Sequence, residues 1–142
     1  MPAAIRTLAL AALACLCPLA PAAEEDAPTT HQAAARCLVR LLADTADCLA
    51  TCTGADSVQA ALPRLQELAA RAAAFRAAQN KLPEPTTQDY LAGQELLGEF
   101  NTAWQAIRDH IDRLENSGLM TPELRAVLCI EAPQQPEGAA TP

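Results

Sequence analysis

The segment from Thr86 to Asn116 carries the pattern that most restricts the fold. Tyr90, Gly93, Leu97, Phe100, Trp104, Ile107, Ile111 and Leu114 follow one another at spacings of three and four residues. That period places them on one stripe of an α-helix and on neither face of a strand. A helix with such a stripe must bury it against another element. Trp104 and Phe100 sit mid-stripe, so core packing is their assignment rather than a ligand platform. Pro83 and Pro85 precede the segment, Thr86 or Thr87 can cap it, and Asn116-Ser117-Gly118 ends it.

Two further stretches repeat the pattern. From Gln32 to Thr53, Leu38, Leu42, Thr45, Leu49 and Cys52 share a stripe, with Arg36, Arg40, Asp44, Asp47 and Thr51 opposite. Gly54 is a natural stop. The next stretch opens at Asp56-Ser57-Val58-Gln59, with an acceptor at the cap and Gln three places on. Val58, Ala61, Leu65, Leu68, Ala72, Phe75, Gln79 and Leu82 then alternate at three and four. Pro63 lacks an N–H and clashes with the carbonyl four residues back, which predicts a kink or brief break near Gln59–Leu62. A short fourth helix is expected over Pro122–Ile130, with Thr121 as cap, Pro122 at the first helical position, and Leu124, Val127 and Leu128 as its apolar face.

Short loops make sequence neighbours antiparallel. The expected fold is therefore all-α: an antiparallel, coiled-coil-like up-down-up three-helix bundle with a short fourth C-terminal helix. Abundant Ala and few Gly agree with helix. The helical domain is assigned to residues 31–130. The polar residues 23–30 and the Pro- and Gly-rich residues 131–142 are expected to be disordered.

The N-terminus reads as a signal peptide over residues 1–22. Arg6 is followed by the apolar run "TLALAALACL", too short to span a bilayer, and Ala20-Pro21-Ala22 places small residues before a cleavage point. A second exit route is possible chemically, because "ALAC" resembles a bacterial lipobox with Cys15 as the lipidated residue. Both routes lead out of the cytoplasm, to the periplasm, the extracellular space or a lipid-anchored place in the envelope. After residue 23 no stretch is long and apolar enough for a membrane span. The chain carries a formal charge of −7 at pH 7 and no basic cluster. Such a chain is ill suited to nucleic acid or to anionic membrane surfaces, and with one Trp, one Tyr and two Phe it offers almost no stacking platform.

Export makes the cysteines candidates for a disulfide framework. Cys37 and Cys48 lie eleven residues apart, about 16 Å along a continuous helix. A disulfide needs roughly 4.4–6.8 Å between Cα atoms. Cys48 and Cys52 are one turn apart with parallel side chains. A fourth helix that folds back brings Cys129 toward the upper end of the first helix, so Cys48–Cys129 is the favoured bridge and Cys52–Cys129 the alternative. Closing that loop would contribute about 4 kcal/mol in the entropic account. Cys37 is left over, as a buried thiol or as a bridge to a second chain in a homodimer. Cys48, Cys52 and Cys129 also suggest a thiolate metal site, but His31 and His110 fall elsewhere in the pattern and supply no fourth ligand. No metal or cofactor is assigned.

No phosphate loop, zinc-protease motif or nucleophile with a placed His is present, so no catalytic residue is assigned and the chain is read as a non-enzyme. Glu95, Glu99, Asp109, Asp112 and Glu115 alternate with Arg108 and Arg113, the habit of a solvated helix face. "DSVQAALPRLQELAAR", Asp56 to Arg71, resembles a stretch of uncharacterised exported bacterial helical-hairpin proteins, in which Ser-x-x-x-Ala-x-Pro-x-Leu opens the second helix. That resemblance implies a helical hairpin and no activity. "LMTPEL", Leu119 to Leu124, is similar to the LTxxQ start of periplasmic stress chaperones, with Leu124 where they have Gln. The expected role is a protein-interaction or structural module of the envelope with another protein as partner. The alternatives are a periplasmic chaperone or stress sensor, and a cysteine-based metal or redox module.

Overall fold

The structure, a computed structural model, describes residues 28–129. The leader over residues 1–22, Cys15, most of the 23–30 segment and the 131–142 tail lie outside the described residues. Those described form five helices: α1 (His31–Ala50), α2 (Ala55–Gln79), α3 (Thr87–Glu95), α4 (Leu97–Asn116) and α5 (Pro122–Leu128). No strand occurs among the described residues.

Local chemistry sets the helix ends. Thr30 Oγ1 accepts the Ala33 N–H at 3.1 Å and opens α1. The helix stops at Ala50, short of the expected Thr53. Its last turn is held from outside: Arg113 donates from Nη2 to the Leu49 carbonyl and from Nη1 to the Cys52 carbonyl, each at 3.0 Å. The Leu49 carbonyl also accepts the Cys52 N–H at 3.1 Å, and a cation suits the negative end of the helix dipole. Arg113 therefore does not belong to a solvated face, as its charge pattern suggested.

The opening of α2 also differs from expectation. Gly54, not Asp56, is the N-cap. Ser57 Oγ accepts the Thr53 and Gly54 N–H groups, both at 2.9 Å, while Asp56 lies in the first turn, where its charge complements the dipole. Pro63 does not break the helix, which continues from Ala55 to Gln79. Pro63 and Gln59 are both exposed, so the Gln59 carbonyl that loses its partner faces water.

The long helix expected from Thr86 to Asn116 is two helices. Leu96 (φ −92°, ψ −4°) separates α3 from α4, and its N–H bonds to Gly93 three residues back. Gly93 and Gly98 flank the junction in open space, and glycine weakens a helix by roughly 1 kcal/mol. No residue of α3 is buried, so packing does not hold it in line with α4. Thr86 and Asp89 cap α3 reciprocally. The Asp89 carboxylate accepts the Thr86 N–H at 2.8 Å, and Thr86 Oγ1 accepts the Asp89 N–H at 3.3 Å.

Helix α1 is the common neighbour: α2, α3 and α4 all pack on it, while α5 packs on α2. Helices α1 and α2 run in opposite directions, since Cys48 meets Ala61, Asp44 pairs with Arg71 at 3.6 Å, and His31 Nε2 donates to the Pro83 carbonyl at 2.7 Å. Helices α2 and α4 do not come within 8 Å of each other at any Cα pair. The core accordingly divides. One cluster gathers Leu42, Leu49, Val58, Leu65, Leu114 and Leu124 from four helices. The second, Ala34, Leu41, Leu68, Ala72 and Phe75, belongs to α1 and α2 alone.

Candidate functional site

The separation of α2 from α4 leaves a groove floored by α1. Leu41, Leu42 and Thr45 form the floor. Leu65, Leu68 and Ala72 make one wall, Trp104, Ile107 and Ile111 the other. Helix α5 enters from one end, where Val127, Leu128 and Cys129 close the space. The remaining cavity is about 240 Å³. Its lining is mostly apolar, with Thr45 and Cys129 among the lining residues.

Each lining element has a local cause. Leu124 is fully buried and anchors α5, and Arg125 pairs with Glu115 of α4 at 3.1 Å. Helix α5 spans only Pro122–Leu128, so it covers one end of a groove whose walls are much longer. It ends at Cys129 in the left-handed region (φ 54°, ψ 37°). That conformation turns the chain and is disfavoured for residues other than glycine. Trp104 is a partly buried groove wall packed against the core cluster, so its expected core packing holds in part and some of its surface remains exposed.

A broader concavity of about 570 Å³ lies where α1 meets α2, lined by Asp44, Asp47, Cys48, Ser57 and Arg64. Two of its three charged residues are engaged. Arg71 holds Asp44, and Arg64 pairs with Glu67 at 2.6 Å. Cys48 lies within it. Burial pushes the Cys48 thiol above its ordinary value; nearby Cys52 adds to the rise and Arg64 opposes it. The Cys52 thiol is also raised, again chiefly by burial, against the Thr51 hydrogen bond and the Arg113 charge. Thiols rather than thiolates are weak nucleophiles and weak ligands at neutral pH. Both sulfurs sit on backbone carbonyls, Cys48 on Ala61 at 3.9 Å and Cys52 on Cys48 at 3.6 Å.

The structure does not gather the cysteines. Cys52 is sealed in the four-helix cluster, Cys37 packs beside the α1–α2 cluster, Cys48 lines the charged concavity and Cys129 lines the groove. No disulfide joins any two of these four. Of the pair expected to bridge, Cys48 lines the concavity and Cys129 the groove. The translation along α1 that motivated the pairing leaves out rotation about the axis, which turns Cys48 toward the α2 concavity and away from the groove. No cluster of three or more metal-ligating side chains occurs among the described residues. No described helix is long and apolar enough to cross a membrane.

Sequence reasoning missed the groove and the bonds of Arg113. The signal for the groove was present in the helix lengths: a fourth helix of two turns cannot cover the seam between helices of five turns or more. Arg113 gave no signal, because its neighbours in sequence are those of an exposed face. Comparison of the chain with protein-family models, with curated proteins and with solved structures finds no match.

Proposed function

We propose that this chain is an exported, non-catalytic protein-interaction module of the cell envelope. In this reading it is an up-down-up three-helix bundle whose short fourth helix leaves part of one groove for a partner. The observation that carries the reading is the apolar groove between α2 and α4, with Trp104 on its wall. A partly exposed Trp in an apolar cleft is a common anchor of protein recognition. Export rests on the leader pattern around Arg6 and Ala20-Pro21-Ala22, and the intact mass of the mature chain tests it.

A photo-crosslinking residue at Asn101, one turn before Trp104 and exposed, tests the binding role in the envelope fraction. The expected result is a discrete polypeptide adduct, absent when the same residue replaces Gln59 on the far side of α2. No adduct at 101 would overturn the reading. A chaperone role is the second reading, favoured by the exposed apolar side chains of Tyr90, Leu91 and Leu97. It predicts a smear of adducts of many masses and strong binding of a hydrophobic dye.

A further inference from the structure

We propose that the cavity between α2 and α4 binds a small uncharged apolar molecule, of the size of one ring carrying a short alkyl arm. The proposal goes beyond the interaction-module reading and does not rest on it. Its first support is the enclosure of the walls. Leu41, Leu42, Leu65, Leu68, Ala72 and Ile107 are only 2% to 6% exposed, yet they border about 240 Å³ of space. These side chains have left water without a protein neighbour filling the hollow they share, and they forfeit dispersion contacts on that side. The hollow has a cause in the sequence. Helix α2 presents Ala69 and Ala72 to it, and no Cα of α2 comes within 8 Å of one in α4. Two alanines cannot reach across that gap. Thr45, Ala69, Trp104 and Ile111 keep some exposure and mark where the cavity meets solvent, so a small molecule has a way in.

The second support is the chemistry of the lining. Thr45 Oγ1 donates to the Leu41 carbonyl at 2.7 Å, and the Cys129 thiol to the Ala126 carbonyl at 3.6 Å, so both hydrogens go to the backbone. The other lining residues are Leu, Ile, Val, Ala and Trp104. A water held in a cavity needs two to four polar partners, and this lining is poor in them. Among the described residues no carboxylate, imidazole, ammonium or guanidinium lines the space. A charged ligand would therefore lie there unpaired, at high cost, whereas an uncharged apolar one replaces the missing dispersion contacts. Volume sets the size. An apolar cavity of about 150 Å³ admits benzene. The cavity here, at about 240 Å³, has room for a ring and a short arm.

Trp104 is the only Trp in the chain and lines the cavity, so its emission reports on occupancy. Propylbenzene and phenethylamine serve as probes. They share one shape, but the second ends in an ammonium at neutral pH. The expected result with the full-length chain is a saturable change of Trp104 emission and a rise in Tm with propylbenzene. Its affinity is expected to exceed that of phenethylamine by at least about tenfold. Ala72→Leu fills the space from the α2 wall and is expected to weaken propylbenzene by at least about tenfold, with the fold followed by circular dichroism. Ala69→Leu, at the half-buried rim, makes the same test should Ala72→Leu fail to fold. No saturable change with propylbenzene overturns the proposal. Equal binding of the two probes also overturns it, because an apolar interior must reject the ammonium. So does undiminished binding in a folded, filled variant, which places the probe elsewhere. None of these failures touches the crosslink at position 101, which tests the module alone.

Discussion

The two ends of α1 are packed differently. Around Leu49 its side chains meet α2, α4 and α5, and Leu49, Leu114 and Leu124 have no exposed surface. Around Ala34 and Leu41 the buried neighbours come from α2 alone, and α3 lies against α1 without burying a residue. The same three-four stripe runs through both ends. A stripe therefore determines which side of a helix turns inward, whereas the number of helices that cover it determines how much of it is sealed. The closed end is a stable core, and the thinner end is where surface remains for binding.

Leu114→Ala is expected to have the largest effect. It empties a fully enclosed site and should cost roughly 3–5 kcal/mol, with Leu68→Ala at the thinner end nearer 2. Chemical denaturation of both variants measures the difference. Equal losses would mean that the two ends are equally packed, and the comparison would fail. Next comes Arg113→Ala, which strips two charge-assisted bonds from the end of α1 and should cost about 2 kcal/mol. Arg125→Ala removes a more exposed ion pair and should cost less than about 1 kcal/mol. A larger loss for Arg125 than for Arg113 would show that α5, not the α1 terminus, holds the closed end.

Trp104→Ala should cost roughly 1–2 kcal/mol, below the 3–5 of a fully buried aromatic, because Trp104 is only partly buried. A loss in the buried range would mean that the groove is closed in solution. The smallest effects are with pH, and the two ends respond to opposite limits. Folding raises the Cys48 and Cys52 thiols above 9.0, so their contribution is full below that value and is lost as the pH climbs past it. Folding lowers the Asp89 carboxyl below 3.8, first through the Thr86 hydroxyl and then through its N–H. That cap is intact above 3.8 and is lost as the pH falls through the lower folded value. Amide exchange should show α3 opening in acid before the Leu49 region, and Asp89→Asn should remove the difference.

Much of the fold was legible because burial follows period. Leu42, Leu49, Val58, Leu65, Ile107 and Leu114 lie on the predicted stripes and are buried. The break at Leu96 was hidden for a physical reason. Its backbone remains right-handed, so the apolar spacing on either side barely slips while the hydrogen-bond ladder is interrupted. The degree of burial of Trp104 was not legible because a stripe names an inward side but not its cover. The cap on α1 was illegible. Arg113 is separated from Leu49 by 64 residues, and no local pattern announces a contact over that distance. The groove stood between these cases: its walls were predicted as stripes, and its opening followed from the shortness of α5.

The reach of Arg113 across the molecule also bears on how the chain acquires its structure. A polypeptide emerges from synthesis with its first helices leading, and α1 and α2 form a local hairpin that can close quickly. Until Arg113 emerges, however, the carbonyls of Leu49 and Cys52 lack its charged donors at the hairpin's tip. The tip, already held by Ser57, thus gains these two bonds only once α4 is in place. The lock at the tip of the hairpin therefore arrives only with the last full helix.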